Sequence, residues 1–491
     1  MIQRRLGLIR RQRLEKLKKL QELGINPYPS KFEKKHTCAQ ARALLGKKVK
    51  TAGRVRAIRA HGRIAFFDLI DSSGKIQLWF QEKNLGKEKY QLIKYLDVGD
   101  FIGVEGRVVK TKAGEITIEV ADFQILAKSL RPLPDQWHGL KDVEERYRRR
   151  YLDLILNPEV RKVFEIRSRL VRLIREFLDK RGFVEVETPI LQPIYGGASA
   201  RPFITHHHAL NYDFYLRISD ELYLKRLIVG GFEKVYEVCR DFRNEGIDRQ
   251  HNPEFTQVEF YWAYADYHDL MLLTEEMISW LVKKVHGQLE IEYQGEKFDF
   301  SPPWPRVTFS QLLKKEIGVD IDRVQNETDL VGLIRKKGIA LDLEGVVGLG
   351  AIYDLLYKTF VRPKLKGPLF LLDYPAAMIA LAKRKEDDPQ KIASFQVLVG
   401  GMELVKAYNE LNDPLDQRER WLEEEKLARQ GAEETERLDE DYIEALEYGM
   451  PPTAGWGMGI DRLTMILTNQ RTIKDVILFP ALRPRKQNSS T

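Results

Sequence analysis

Residues 240–262 read RDFRNEGIDRQHNPEFTQVEFYW, and this pattern predicts a strand, a polar loop and a returning strand. Side chains of a strand alternate between its two faces. On the returning strand, one face therefore carries Phe255, Gln257, Glu259 and Tyr261, and the other carries Thr256, Val258, Phe260 and Trp262. Burying the carboxylate unpaired would cost several kcal/mol, so the first face is predicted to line a site. An exposed sheet face with a charged hairpin is the alternative.

A second stretch, residues 455–462, reads GWGMGIDR and places glycines at alternate positions. In a strand these glycines clear one face of side chains, so that a flat ligand can approach the backbone. A helix with Leu463, Ile466 and Leu467 follows, and its N-terminus favours an anionic phosphate. Arg462 in its first turn, and Arg243 near the base of the polar loop, add cationic charge suited to phosphate or carboxylate.

A strand-like run is predicted over residues 396–412, and it contains Glu403, Lys406 and Glu410. Acidic side chains near a triphosphate are natural Mg²⁺ ligands, although polar residues on an edge strand would look the same. Glu221 lies at a helix start, where it would complement the helix dipole without any further function. Residues 206–208 are all histidine, but neighbouring side chains on a strand point to opposite faces, so no catalytic zinc is expected.

The N-terminal third predicts a β-rich module, with strands at 51–59, 64–71, 75–81, 101–110 and 115–127 and a helical segment at 87–95. Five short strands of this kind suit a small closed barrel such as an OB-fold, which commonly binds nucleic acid by stacking bases on aromatic rings. Phe66, Phe67, Trp79 and Phe80 are the candidate stacking platforms, and alternation requires half of them to face the core.

Composition and charge narrow the class of protein further. The 491 residues predict two or three domains, and a hydrophobic fraction of 43% indicates packed cores. Lys and Arg exceed Asp and Glu by 80 − 72 = 8, and residues 4–19, predicted to be helical, hold eight basic residues and one acidic residue. The basic charge of this helix predicts contact with a polyanion such as nucleic acid, and a solvated basic face is the alternative.

Two distant cysteines and the lack of a long apolar run predict a reducing cytoplasm and no membrane segment.

Taken together, these stretches resemble the three signature motifs of class II aminoacyl-tRNA synthetases: motif 1 at about 182–191, motif 2 at about 240–262 and motif 3 at about 455–467. Within that class, the closest likeness is to the lysyl enzymes. Further segments that carry it are INPYP at 25–29, GGASARPF at 196–203, ELYLKR at 221–226, NELNDP at 409–414 and PPTAG at 451–455. The resemblance implies an α+β fold, with an OB-fold barrel followed by a catalytic domain built on an antiparallel sheet with flanking helices.

The resemblance also implies domains and an activity. A basic helix is expected at 1–30, an anticodon-binding barrel at 31–134 and the catalytic domain at 135–491. The expected reaction joins L-lysine to tRNA(Lys) with ATP, through lysyl-adenylate, and releases pyrophosphate and AMP. A homodimer formed through motif 1 is expected, and the expected ligands are Mg²⁺, ATP, lysine and the tRNA.

Residue roles follow from the same resemblance. Catalysis is expected to involve Arg243, Glu245 and Arg462. ATP is expected to contact Arg243, Asn244, Glu245, His251, Asn252, Phe255, Glu403, Gly459, Asp461 and Arg462. Lysine is expected to contact Gly197, Glu221, Glu259, Tyr261, Lys406 and Glu410. Anticodon bases are expected to contact Phe66, Gln77 and Glu115.

Two positions depart from the family pattern. Glu403 matches one acidic magnesium ligand, but Gln396 stands where a second acid is usual, which leaves the number of ions open. Lys406 stands where the family commonly has asparagine near the lysine carboxylate, and its ammonium would pair with that carboxylate or repel the α-ammonium.

Three rival functions share parts of the pattern. An aspartyl- or asparaginyl-tRNA synthetase would want a basic residue facing its substrate's side chain, whereas Glu259 and Glu410 suit a cation. A relative that lysylates a protein would lack the barrel. A tRNA-binding protein with an inactive catalytic domain would not need Arg243, Glu245, Phe255 and Arg462.

Overall fold

The computed structural model describes residues 2–134, 140, 142–432 and 435–485, and the side chains from Leu6 onward. The chain divides into two compact units, Met1–Lys141 and Asp142–Thr491. The expected domain boundary at residue 135 lies outside the described residues. Within the described part, no helix is both long enough and apolar enough to cross a bilayer.

The first unit is a five-stranded closed barrel. Its strands follow the order β1-β2-β3-β5-β4 around the barrel, with β3 and β5 parallel, which confirms the predicted OB-fold. The barrel is closed by hydrogen bonds from β1 to both β2 and β4. The elements are α1 (Ile2–Glu22), α2 (Cys38–Ala43), β1 (Lys48–His61), β2 (Ile64–Asp71), β3 (Gly74–Gln81), α3 (Glu82–Leu85), α4 (Lys87–Gln91), a 3₁₀ turn (Leu92–Tyr95), β4 (Phe101–Lys110) and β5 (Ile116–Ala127).

Because side chains alternate along β2 and β3, two of the four aromatic candidates face the barrel core and two face outward. Phe67 and Phe80 are buried in the barrel core, with ring centroids 4.7 Å apart. Phe66 and Trp79 are partly exposed, and they stack on each other at 5.9 Å with 12° between ring planes. The outer face of these strands therefore carries a ready aromatic surface, as stacking of bases requires.

Helix α1 uses part of its basic charge inside the unit. Arg13 is 7% exposed, and its guanidinium donates to the carbonyl oxygens of Val98, Ser129 and Arg131. Lys16 Nζ lies 2.7 Å from Asp97 Oδ1. These two cations fasten the helix to the barrel, so only the other basic residues of α1 remain for a polyanion.

A buried lysine is clamped between two carboxylates near that attachment. We call Lys128, Asp97 and Asp100 the Lys128 triad. Lys128 Nζ contacts Asp97 and lies 2.8 Å from Asp100 Oδ2, and the Lys128 and Asp100 side chains are fully buried. The backbone amides of Ser129 and Asp97 also donate to Asp100, at 2.7 and 2.8 Å. Every charge in this triad therefore has partners within the protein.

The second unit is built on an eight-stranded sheet with helices around it. Its helices are α5 (Val143–Arg148), α6 (Arg150–Leu156), α7 (Pro158–Asp179), α8 (Glu221–Val229), α9 (Tyr267–His286), α10 (Phe309–Ile317), α11 (Glu327–Lys336), α12 (Leu349–Leu356), α13 (Pro414–Arg429), α14 (Glu440–Glu447), α15 (Ile460–Leu467) and α16 (Ile473–Val476). Its strands are β6 (Val184–Glu185), β7 (Leu191–Gln192), β8 (Phe203–His207), β9 (Tyr212–Leu216), β10 (Lys234–Phe242), β11 (Glu254–Ala263), β12 (Glu290–Tyr293), β13 (Glu296–Asp299), β14 (Arg306–Thr308), β15 (Leu369–Leu372), β16 (Ser394–Val399), β17 (Met402–Asn409) and β18 (Thr453–Gly459).

The main sheet has the order β14-β15-β16-β17-β18-β11-β10-β6, and it is antiparallel except at its two edges. Val258 and Phe260 of β11 are buried in a core shared with α7, α9 and α15. Helix α9 begins at a capping box on Asp266 and ends at Gly287 in the left-handed region, which fixes its length against the sheet. The predicted α+β class with an antiparallel catalytic sheet is confirmed.

The single strand-like run expected over 396–412 is wrong in one respect. The chain instead forms a hairpin of β16 and β17, which turns at Gly400 and Gly401 with φ of 57° and 72°. These left-handed values favour glycine, so the turn residues were visible in the sequence. The hairpin still places Glu403, Lys406 and Glu410 on or just after one strand.

Each unit contains one cysteine, and both thiols are free and buried. Burial raises the pKa of the Cys38 thiol to about 12, with the nearby Asp71 carboxylate adding to the effect. Burial also raises the pKa of Cys239 well above its usual value, and Asp220 and Asp241 add to that shift.

Candidate functional site

A cavity of about 800 Å³ opens in the second unit, and strands β11, β17 and β18 contribute to its wall. It gathers all the residues that were expected to contact ATP, lysine or the metal, except Asn244. The predicted residues that line it are Gly197, Glu221, Arg243, Glu245, His251, Asn252, Phe255, Glu259, Tyr261, Gln396, Glu403, Lys406, Glu410, Gly459, Asp461 and Arg462. Their individual roles remain predictions.

The glycines of β18 leave one face of the strand without side chains, and this face lies directly beside the polar face of β11. Gln257 pairs with Gly459, Glu259 with Gly457 and Tyr261 with Gly455 across the two strands. A Cβ added at Gly455 would overlap Glu410 Oε1 and the Tyr261 ring. The glycine spacing therefore makes room for polar side chains of neighbouring strands as well as for a ligand.

The most buried part of the cavity is acidic. Glu221 and Glu410 are 5% and 1% exposed, and the fully buried Lys225 lies between them. Lys225 Nζ is 2.5 Å from Glu221 Oε1 and also contacts Glu410. We call Lys225, Glu221 and Glu410 the Lys225 triad. Burial raises the pKa of Glu410 to about 8, because the attraction of Lys225 does not offset desolvation and the repulsion of Glu221.

A second cluster of buried acidic residues lies around Glu259. Gln257 Nε2 donates to Glu259 Oε1 at 2.6 Å, and Tyr261 Oη lies 3.3 Å from Glu259 Oε2. Burial raises the pKa of Glu259 well above its usual value, and Asp220 and Asp241 add to the shift. Burial and Asp241 likewise raise the pKa of Asp220 to about 8. The buried, closely spaced carboxyl groups of this region therefore favour their protonated forms more than exposed carboxyl groups do.

Buried ligating atoms of Asp220, Cys239 and Asp241 lie within 4.8 Å of one another, but none of these three residues lines the cavity. Burial raises the pKa of Asp241 to about 6, although Arg217 and Arg243 lower it. Arg217 Nε lies 3.2 Å from Asp241 Oδ1, so this cluster already has one cation.

The more exposed part of the cavity carries cationic and aromatic groups. The Arg243 guanidinium lies over the Phe255 ring at 5.1 Å. Arg462 donates to the backbone oxygen of Glu403 at 2.8 Å, and its other terminal nitrogen lies 3.4 Å from His251 Nε2. His251 Nδ1 is 2.8 Å from Asp248 Oδ2, which holds the ring in place. A ring and two guanidinium groups in this arrangement suit a nucleotide with its phosphates.

Asp461, Asn252 and Gln396 also have hydrogen-bond partners within the protein. Both Asp461 oxygens are used, by the Arg167 guanidinium and by the Thr256 amide at 2.8 Å. Asn252 donates to the Glu254 carbonyl and accepts from the Ala481 amide. Gln396 Oε1 accepts from the Tyr374 hydroxyl at 2.6 Å. Each of these side chains positions its neighbours, whatever else it contacts.

The remaining predicted residues are placed by loops and by strand register. Gly197 has a φ of 84°, and a Cβ there would lie 3.0 Å from Ser219 Oγ and 3.1 Å from Glu221 Cβ, so its loop packs closely over the start of α8. Glu245 and Asn244 are exposed in the loop of motif 2. Lys406 pairs across the sheet with Gln396 and with Gly457.

In the first unit, the three anticodon candidates are partly exposed on the barrel. Phe66 pairs with Trp79 across β2 and β3, and Gln77 pairs with Thr117 of β5, whose hydroxyl donates to Gln77 Oε1 at 2.8 Å. Glu115 immediately precedes β5, with its carboxylate 4.0 Å from Arg42. Their placement on one set of adjacent strands is compatible with a shared ligand.

Sequence reasoning missed Lys225, Tyr408 and Asp220. Tyr408 Oη lies 2.8 Å from both carboxylate oxygens of Glu221. One signal was available: Glu221 and Lys225 are four residues apart on α8, a spacing that places them on the same helix face. The involvement of Glu410 with Lys225 had no signal, because it depends on how α8 packs against the strands.

Comparison with known proteins agrees with this geometry. The family described as tRNA synthetases class II (D, K and N) matches residues 142–483, and an OB-fold nucleic acid binding domain matches residues 49–126. The chain belongs to the class II tRNA synthetase family.

Similar proteins share almost the whole length of this synthetase. A lysine--tRNA ligase of Carboxydothermus hydrogenoformans is 52% identical over 477 residues, which cover 96% of this chain and 97% of that protein. The lysine--tRNA ligase of Moorella thermoacetica is 51% identical over 97% of this chain and 98% of its own. One from Dehalococcoides mccartyi is 48% identical over 98% of both chains.

Proposed function

We propose that the protein is a lysine–tRNA ligase, which activates L-lysine with ATP and transfers it to the 3′-hydroxyl of tRNA(Lys). The similar proteins carry that name over nearly their full length. The observation that carries the proposal is the pair of buried carboxylates Glu221 and Glu410 in the cavity wall. A desolvated ammonium needs a paired anion, and a lysine side chain supplies that cation.

The same geometry weighs against aspartate as the substrate. Lys225, the cation closest to Glu221 and Glu410, is fully buried and does not line the cavity. An acidic substrate would meet carboxylates there, and like charges in a desolvated site repel strongly. Lys406 does line the cavity, and it is proposed to contact the α-carboxylate of lysine.

In the first step, the lysine carboxylate attacks the α-phosphate of ATP and pyrophosphate leaves. This carboxylate is ionised at neutral pH, so no strong general base is needed. Arg243 is proposed to hold the carboxylate and the α-phosphate, while Phe255 and Arg462 enclose the adenine. Placing both reactants in one cavity and stabilising phosphate charge with arginine are the main contributions of such a site.

The donor set fits a divalent cation with one clear acidic ligand. Glu403 lines the cavity and its carboxylate is an oxygen ligand of the kind Mg²⁺ prefers. Gln396 has an amide oxygen already bonded to Tyr374, which retains a second lone pair but brings no charge. Mg²⁺ bound with ATP would neutralise phosphate charge there, and Glu403 is the residue proposed to hold it.

The barrel is proposed to bind the anticodon, with one base stacking near Phe66 and Trp79. Gln77 and Glu115 are proposed to read base edges, in the way that single-stranded RNA is usually recognised. The exposed basic residues of α1 are proposed to add contacts to phosphates that do not depend on sequence.

A homodimer through motif 1 is also proposed. Val184, Ile190 and Leu191 are 46%, 44% and 48% exposed, which is high for apolar side chains of one short segment. Analytical ultracentrifugation should show a species of twice the chain mass, and Ile190→Asp should shift it to the monomer.

We also propose a cytoplasmic location, because two free, buried thiols fit a reducing compartment.

Amino-acid-dependent ATP–pyrophosphate exchange tests the proposed activity directly. Exchange should occur with lysine and not with aspartate or asparagine, and charging of tRNA(Lys) should follow. Arg243→Ala should abolish exchange while the circular dichroism spectrum stays that of the wild type. Exchange supported by aspartate or asparagine alone would contradict the proposed substrate.

A further inference from the structure

Lys225 lies behind the cavity wall and is absent from the cavity lining, although it contacts two residues that do line it. It is fully buried on α8, one helical turn after Glu221. A lysine without solvent needs anions around it, and this one has two. Its position makes it part of the pocket's electrostatics without making it a contact of the substrate.

The two carboxylates that it contacts are held very differently. Glu221 also has Tyr408 Oη within 2.8 Å of both its oxygens. Glu410 lacks any further hydrogen-bond partner in the described part of the chain, and both its oxygens are buried. Lys225 is therefore the group that orients Glu410, and Gly455 provides the space into which its Oε1 extends.

The charged and titratable groups around the Lys225 triad come from several elements. Strand β17 contributes Tyr408 and Lys406, β11 contributes Tyr261 and Glu259, and α14 contributes Tyr442, whose hydroxyl lacks a partner among the described residues. Glu436 precedes α14 and bonds the Trp421 indole at 2.8 Å. One lysine ammonium thus contacts both buried carboxylates, so the two negative charges of the triad share a single directly paired cation.

We propose that Lys225 is a positioning and specificity-determining residue of the amino-acid pocket. It pairs with Glu221 and orients Glu410, so that the two carboxylates of the triad share one cation and Glu410 can accept a substrate ammonium. This inference rests on the proposed function and adds a residue and a charge balance to it. When no lysine is bound, a proton from solvent neutralises Glu410, and the ε-ammonium displaces that proton.

Lysine binding is then coupled to proton release. The pocket holds Lys225, Glu221 and a protonated Glu410 before binding, and Lys225, Glu221, Glu410 and the ε-ammonium after it. Burial raises the pKa of Glu410 to about 8. Since the bound state needs ionised Glu410, the affinity for lysine should rise by about tenfold per pH unit below that value and level off above it.

The test is Lys225→Met in the full-length protein, which removes the charge and keeps a side chain of similar length. ATP–pyrophosphate exchange should show a KM for lysine raised by roughly 30-fold or more, because a buried ion pair loses one partner. The kcat and the KM for ATP should change less than about threefold. The pH at which kcat/KM for lysine levels off should move upward, because Glu410 has lost its cation.

Lys128→Met is the matched control, since Lys128 is equally buried between two carboxylates but lies on the barrel. It should leave the KM for lysine unchanged. The double variant Lys225→Met/Glu410→Gln should lose less affinity for lysine than the sum of the two single losses, because Lys225 acts in part through Glu410. Additive losses, an unchanged KM or a lowered KM for lysine in folded Lys225→Met would each overturn the proposal.

The wild-type protein provides a measurement that does not depend on any variant folding. Calorimetric titration with lysine at pH 7 in two buffers of different ionisation heat should report release of close to one proton per lysine. Binding without proton release would overturn the inference while leaving the ligase function intact. If lysine supports no exchange in the wild type at all, the proposed function fails instead.

Discussion

Two buried lysines, one in each unit, each contact two carboxylates, but the clusters differ in how fully the protein itself satisfies those carboxylates. In the Lys128 triad, Asp100 receives two backbone amides in addition to the lysine, and Asp97 also contacts Lys16. In the Lys225 triad, Glu410 depends on the lysine alone among the described residues. Both triads hold a fully buried lysine side chain in contact with two carboxylates.

The two triads differ in how many hydrogen bonds their carboxylates could still accept. A carboxylate accepts up to about four hydrogen bonds, and burying one with few donors is unfavourable. The Lys128 triad has used that capacity within the protein, so nothing further is needed. The Lys225 triad faces a cavity with capacity left over, which is what a site that binds a cation requires.

The largest expected effect is the loss of stability in Lys128→Met. Removing the shared cation leaves two carboxylates uncompensated, and breaking a buried pair in this way costs about 3–5 kcal/mol. Thermal unfolding should show a lower midpoint for the barrel unit, while lysine-dependent exchange keeps its wild-type KM. A midpoint within one degree of the wild type would mean that water readily replaces Lys128.

Glu410→Gln should have the largest effect on activity. Leaving the ε-ammonium without its anion should cost about 2–5 kcal/mol, which corresponds to a loss of roughly 30-fold to several thousand-fold in kcat/KM for lysine. The KM for ATP should change little. Steady-state exchange kinetics check both values, and an unaltered kcat/KM would remove Glu410 from the site.

Phe66→Ala should weaken tRNA binding by about 1–3 kcal/mol, the usual value of one stacked base. Binding is measured by filter retention of labelled tRNA, and lysine-dependent exchange without tRNA should be unaffected. Phe67→Leu, in the barrel core, is the matched control that alters an adjacent aromatic ring without touching the outer surface. Equal loss of tRNA affinity in both variants would point to general damage of the barrel.

The two triads should respond to pH in opposite directions. Although burial opposes it, hydrogen bonds from Lys128 and Lys16 lower the pKa of Asp97, so its contribution to stability is lost as pH falls through that lowered value. Burial raises the pKa of Glu410 to about 8, so its contribution is full below about pH 4.5 and is lost as pH rises through 8. Scanning calorimetry from pH 3 to pH 9 should resolve both losses, and saturating lysine should remove only the upper one.

The smallest expected effect concerns Gln396, whose oxygen is already bonded to Tyr374. Gln396→Glu should lower the Mg²⁺ concentration for half-maximal exchange by a few-fold, because it adds a carboxylate to the cavity that Glu403 also lines. Titration of Mg²⁺ at fixed ATP measures the shift. No shift would place position 396 away from the metal and confine its role to orienting Tyr374.

Local pattern was enough to predict much of the fold. The bounds of β2 and β4 were predicted to the residue, and alternation on β11 correctly separated the faces of Gln257 and Val258. The sequence also predicted the bare glycine face of β18. These features depend on neighbours along the chain, so the sequence alone contains the relevant information.

Pairings between distant residues could not be predicted in the same way. Contact of Lys225 with Glu410 depends on the packing of α8 near β17, and contact of Asp461 with Arg167 depends on the position of α7. The β16–β17 hairpin was missed although Gly400 and Gly401 are visible in the sequence, because the strand-like residues on both sides of them were interpreted as one run.

Each unit contains one buried cysteine, and the reactivity of that thiol reports local unfolding of the unit. Cys38 and Cys239 are buried, and burial keeps both thiols in the unreactive protonated form. A thiol-alkylating reagent should therefore react only when the surrounding structure opens. Because each unit holds a single thiol, the mass of the labelled peptide identifies which unit opened, and lysine should protect Cys239 while leaving the labelling rate of Cys38 unchanged.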